Sequence, residues 1–195
     1  MSGTRSPRRL VVAAIALAGL VGAGCASRPE DGPGRRVTEL PAPGPELSQE
    51  LMLGLSLARN YHHKADVYLK EAKVEQAVAS VRQILTIRFP AGSAEGEDVV
   101  NDARARLAKL LVTRGALDEA QKVLDDGITA ASRQSFFVAN LHTVRGEVME
   151  ARAAQSDESD AAASTAARKQ AIESYDRAIA IQKALIDQLA KGDVE

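Results

Sequence analysis

Residues 88–120, RFPAGSAEGEDVVNDARARLAKLLVTRGALDEA, decide the fold. Phe89-Pro90-Ala91-Gly92 reads as a helix stop, because Pro removes a donor and Gly comes after it. Val100, Ala103, Leu107, Leu110 and Leu111 then recur at steps of three and four, the period of one helix face. Arg114-Gly115-Ala116 reads as a tight turn, and Leu117, Ala120, Leu124 and Ile128 mark the apolar face of the next helix. Two short helices joined by a three-residue turn are the unit from which the rest is read.

The same alternation extends in both directions. Toward the N-terminus, Ser48 is placed to cap a helix whose stripe is Leu51, Leu55, Ala58, Tyr61, Ala65, Tyr68 and Ala72. A second helix carries Val74, Ala77, Val81 and Leu85 and runs to the Phe89-Pro90 stop. Toward the C-terminus, a Ser-rich turn precedes a fifth helix with Phe137, Leu141, Val144 and Val148. Residues 155–165, QSDESDAAAST, read as a long loop or a frayed extension. A sixth helix carries Ala171, Tyr175, Ala178, Ile181, Leu185 and Leu189. The expected class is all-α, with six helices in three hairpins.

Composition agrees. Hydrophobic residues make up 45% of the 195-residue chain but aromatics only 3%, with no Trp, and Ala supplies much of the apolar content. Ala favours helices over sheets. The net charge is −1, and residues 1–24 hold Arg5, Arg8 and Arg9 without an acid, so the remainder carries −4. Nucleic acid is disfavoured as a partner, since phosphate binding needs a basic surface.

The N-terminus has a separate logic. A basic stretch, residues 1–9, precedes LVVAAIALAGLVGAG at 10–24. Fifteen apolar residues suit a signal peptide and are short of the roughly 20 that a membrane span needs. Gly22-Ala23-Gly24-Cys25 resembles a lipobox, in which small residues precede a Cys that is acylated and becomes the new N-terminus. Gly22 departs from the usual large aliphatic residue there. The resemblance makes residues 1–24 a lipoprotein signal peptide and Cys25 a lipid-anchored terminus. Several buried acyl methylenes at about 0.8 kcal/mol each hold such a terminus in a bilayer. Ala26 stands where an inner-membrane retention Asp would sit, which implies the outer membrane, facing the periplasm. Residues 26–47 contain five of the seven prolines and no apolar period. With Cys25 they form a Pro-rich tether, 25–47, of about 3 Å per residue when extended. The folded domain is then 48–195.

Small residues recur in the helix pairs as they do in tetratricopeptide repeats. Leu107-Ala108, Leu111, Gly115, Ala120, Leu124 and Gly127 match that pattern in the central pair. Tyr61, Ala65, Tyr68, Ala77, Val81 and Pro90 match it in the first, and Gly146, Ala171, Tyr175 and Ala178 in the third. Residues 48–190 therefore resemble the tetratricopeptide family, and the resemblance implies a right-handed solenoid of about three hairpins. Ala77, Ala120 and Ala171 lie 43 and then 51 positions apart, further than the family period, so longer helices or loops are expected. Only the central pair has the turn Gly. By family register, the first helix of each hairpin lines a partner-binding groove. That gives Arg59, His62, Asp66 and Lys70, then Asp102, Ala105, Lys109 and Val112, then Asn140, Thr143, Glu147 and Glu150.

Local catalytic signatures are missing. There is no Gly-rich phosphate loop, nucleophile elbow or HExxH. His62 and Asp66 share a helix face but are too few for a closed metal site, and no cofactor is expected. The leading expectation is a non-enzymatic, lipid-anchored envelope scaffold. It resembles tetratricopeptide lipoproteins of outer-membrane, pilus or secretion assembly, and its partners would be envelope proteins. The alternatives are an enzyme or accessory acting on cell-wall or polysaccharide substrates, and a small-ligand or metal carrier using His62 and Asp66.

Overall fold

A computed structural model of the chain describes residues 48–156 and 160–192. The expected signal peptide (1–24) and the tether with Cys25 (25–47) lie outside the described residues. Those residues form six helices and no strand: α1 (Gln49–Lys70), α2 (Val74–Ile84), α3 (Ala94–Thr113), α4 (Leu117–Ala130), α5 (Phe136–Ser156) and α6 (Ala161–Lys191). The all-α expectation holds. Among the described residues no helix is long and apolar enough to cross a membrane.

Caps set most helix starts. Ser48 Oγ accepts from Leu51 N at 3.2 Å, and Ser93 Oγ accepts from Gly96 N at 2.9 Å. Ser135 Oγ accepts from Val138 N at 3.2 Å. Asp160 accepts from the amides of Ala162 and Ala163 at 3.1 and 3.0 Å. Each satisfies a donor the first helical turn leaves open. The Asp160 cap corrects the expectation of a long loop over 155–165. Helix α5 reaches Ser156 and α6 resumes at Ala161, because the Ala-rich run beyond the cap is a strong helix former.

Two helix ends also differ from expectation. Ala72, expected in the stripe of the first helix, lies beyond its end with φ +57°. Its amide donates to Leu69 O at 3.0 Å and that of Lys73 to Tyr68 O at 2.8 Å. Gly115, φ +74°, occupies the same place after α3, its amide donating to Val112 O while that of Ala116 donates to Leu111 O, both at 2.9 Å. These are matching Schellman turns, the usual Gly being replaced by Ala in the first. A Cβ in the left-handed region costs roughly 1–2 kcal/mol. Ala72→Gly is therefore expected to raise stability by up to about 1 kcal/mol, after the greater freedom of Gly in the unfolded chain is offset, and Gly115→Ala to lower it by a similar amount. Urea midpoints of the two variants moving in the same direction would contradict the matched turns. Helix α2 ends at Ile84, short of the expected stop at Phe89-Pro90, and residues 85–93 form a loop.

Helix α1 packs on α2, α3 on α4 and α5 on α6; α3 also packs on α1 and α2, and α5 on α3 and α4. Among the described residues no helix of the first pair packs against one of the third. One core runs through all of them, with Val81, Leu107, Leu111, Leu124, Leu141 and Val148 fully buried. The small residues of the repeat pattern are buried too: Ala65 and Ala77, Ala108 and Ala120, Gly146 and Ala171. A Cβ on Gly146 would come within 2.6 Å of the Tyr175 ring, so this glycine is what lets α6 lie against α5. An acid at the second residue of an even-numbered helix meets an Arg near the end of the next odd-numbered one. Glu75 pairs with Arg114 and Asp118 with Arg152, each at 2.7 Å.

A candidate binding cleft on the face of α1, α3 and α5

Steps of three, four and seven along α1 bring Leu55, Ala58, Arg59, His62 and Asp66 to one face. Val99, Asp102 and Arg106 share a face of α3 in the same way. The α4–α5 loop is tied to the start of α3. Ser132 donates from its amide to Glu97 at 3.1 Å, and Arg133 donates to Asp98 at 2.5 Å and to Ala94 O at 3.2 Å. This fixes the first turn of α5 and sets Phe137, 38% exposed, at the edge of the α1–α3 face. The result is an open cleft of about 280 Å³. Its floor and far wall are Leu55, Ala58, Val99 and Phe137; its polar side is Arg59, His62, His63, Asp66 and Asp102.

The polar side is a wired network. Arg106 Nη2 donates to Asp66 Oδ1, and Arg106 Nη1 donates to His62 Nδ1 at 3.0 Å. A guanidinium only donates, so Nδ1 accepts and the neutral ring holds its proton on Nε2, 3.6 Å from Asp102 Oδ2. Burial, with Arg106 beside the ring, lowers the pKa of His62 below its ordinary 6.5, although Asp102 and Asp66 pull the other way. His62 and Asp66 thus come together, but with a cation between them. Among the described residues no three His, Cys, Asp or Glu side chains group to hold a metal.

The remaining predicted positions divide. Lys109 pairs with Glu147 across α3 and α5 at 3.1 Å, continuing the charged seam. Arg59 donates to His63 on its own helix at 3.3 Å, and Lys70 is exposed in the last turn of α1. Asn140 and Val112 are half-buried, as is Thr143, whose hydroxyl donates to Ala139 O of its own helix at 3.2 Å. Glu150 faces the other way, accepting from Tyr175 of α6; burial and this hydrogen bond push the phenol up to about 12. Ala105, expected in the groove, is 1% exposed and belongs to the core. Asp102 and Lys109 keep their expected face of α3, while Arg106 and not Ala105 holds the position between α1 and α3. The steps Val99, Asp102, Arg106 were the available signal. Phe137 has the spacing of a core position, and only its place in the first turn of α5, before that helix is covered, exposes it.

A further histidine, His142, is 9% exposed and lies deeper than His62. Burial lowers its pKa first, and Arg177 from α6 and Arg145 lower it further against a weaker pull from Asp125 of α4. Both histidines stay neutral to lower pH in the folded chain than in the unfolded chain. Their contribution is full above about pH 7 and is lost as pH falls below 6.5. Thermal unfolding should show a lower Tm at pH 5 than at pH 7.5, and the His62→Gln/His142→Gln variant should show a shallower fall. An unchanged slope in the variant would place the pH dependence elsewhere.

No protein-family model matches the chain, and comparisons with curated proteins and with solved structures return no match.

Proposed function

We propose that this chain is a lipid-anchored adaptor of the cell envelope. In this reading three tetratricopeptide-like hairpins, stacked as a right-handed solenoid, hold a partner protein in the α1–α3–α5 cleft. The observation that carries the reading is that cleft. Its apolar floor ends at a half-exposed Phe137, and its charged rim is prearranged by Arg106. Such a site suits a partner segment that inserts an apolar side chain and sets polar groups along the rim. Support for the repeat comes from the matched Schellman turns, the buried small residues and the equivalent ion pairs Glu75–Arg114 and Asp118–Arg152. In this reading the lipobox-like Cys25 and the Pro-rich tether are the anchor and spacer, and the domain stands in the periplasm at the outer membrane.

The test is position-specific photo-crosslinking in intact cells. A photoreactive phenylalanine analogue at Phe137 is expected to give a discrete adduct that the same label at Lys122, exposed on α4, does not. Exchanging Lys109 and Glu147 for one another keeps their ion pair while reversing the local charges, and should lower adduct yield several-fold with an unchanged Tm. In the same cells Cys25→Ser should move the adduct out of the membrane fraction. Identical adducts from Phe137 and Lys122 would refute the cleft, and unchanged membrane partitioning of Cys25→Ser would refute the lipid anchor.

A further inference from the structure

Helix α6 is 31 residues long and, among the described residues, packs on α5 and on no other helix. Its buried positions are Ser164, Ala167, Ala171, Ser174, Ala178 and Ile181, an alternation of three and four that seats it on α5. One residue further round the helix runs a second strip with the same spacing: Ile172, Tyr175, Ile179, Gln182, Ile186 and Leu189. The aliphatic members stand in solvent, Ile172 at 62% exposed, Ile179 at 46%, Ile186 at 57% and Leu189 at 53%. Single exposed aliphatic residues are ordinary, but four in one heptad seam form a coiled-coil face without a partner helix.

We propose that the occupant of this seam is α6 of a second copy of the chain, packed antiparallel about a two-fold axis. The seam is self-complementary in that direction. One register sets Ile172 against Leu189 and Ile179 against Gln182 of the other copy, each layer forming twice, and brings Ile186 over the outer edge of the half-buried Tyr175, whose ring otherwise lies on Gly146 of α5. The charged edge supports the same register. Asp176 and Lys183 flank Tyr175 and Gln182 on one side of the seam, both exposed and seven residues apart. In the antiparallel pair each Asp176 comes alongside Lys183 of the second copy. A parallel pair offers no such match, because the opposite edge of the seam is Ala171, Ala178 and Leu185. The exposed apolar side chains of α1, Met52, Leu53, Leu57 and Val67, lack the three-four alternation. A head-to-tail contact between α6 and α1 would also be heterologous and would leave a free end for further growth, whereas the α6 pair closes as a dimer.

The experiment is sedimentation equilibrium of the full chain in density-matched detergent. It should give twice the mass of one chain at high concentration, dissociating on dilution. Ile179→Glu, at an exposed position that leaves the fold intact, should weaken association about tenfold or more. Asp176→Lys should weaken it a few-fold, and Asp176→Lys/Lys183→Asp should restore it. Direction is read by disulfide trapping in the Cys25→Ser background, where an introduced thiol is the only one. A mixture of Ile172→Cys and Leu189→Cys chains should cross-link, and neither chain alone should. A monomer mass throughout, or no response to Ile179→Glu, would overturn the proposal. So would self-cross-linking of Ile172→Cys chains or growth beyond a dimer.

Discussion

Replacing Ala120 by Trp is expected to lower the melting temperature by roughly 10 °C. Ala120 is fully buried in the core where α4 packs between α3 and α5. Interiors are close-packed, so an indole there must displace its core neighbours or the helices themselves. Overpacking costs typically 1–3 kcal/mol, and a change this large sits at about the upper end, which for a domain of this size is near the stated shift. The control is Lys122→Trp two residues on, where the side chain is 71% exposed and the expected change is within about 0.5 kcal/mol. Equal melting temperatures for the two variants would show that α4 does not cross its neighbours at Ala120.

The second large effect is expected at Gly96. A Cβ built there would lie 2.6 Å from Phe89 Cβ and 2.7 Å from its Cγ. Those atoms are close to the backbone and cannot swing aside. On the other side of the ring, a Cβ on Gly54 would come within 2.8 Å of Phe89 Cε1. Phe89 is therefore a plug from the α2–α3 loop, seated between a glycine of α1 and a glycine of α3. Gly96→Ala should cost about 1–3 kcal/mol by expelling it. Phe89→Ala should destabilise as well, and the double variant should cost clearly less than the sum, since the clash vanishes with the ring. Additive losses in urea unfolding would mean the ring and the glycine do not meet.

Most of the helical framework was legible because spacing and capping chemistry are local. Leu107, Leu111 and Leu124 announce their faces by period alone, and Ser48 announces a start because an apolar stripe begins three residues after it. Long-range circumstance decided the rest. Nothing about an alanine indicates that Ala72 adopts a positive φ; the turn there has to match the one at Gly115. In an Ala-rich helix rotation is poorly specified, because Ala103, Ala105 and Ala108 are all fit for burial. Ala105 was assigned to the groove for that reason and Arg106 was passed over, although Asp102 and Lys109 on the same helix do face it. Phe89 has the look of punctuation for α2, although it acts as a wedge between α1 and α3. The Asp66–Arg106–His62 network joins residues 40 and 44 positions apart, which periodicity within either helix cannot register.

The way the helices touch has a mechanical consequence. The first and third pairs are joined through the second, while Leu55 of the first and Phe137 of the third stand at opposite sides of one opening. Small tilts at the two junctions add along such a chain of contacts instead of cancelling. The gap between those two side chains therefore changes more than either junction does. The packing of the middle pair therefore sets the width of that opening.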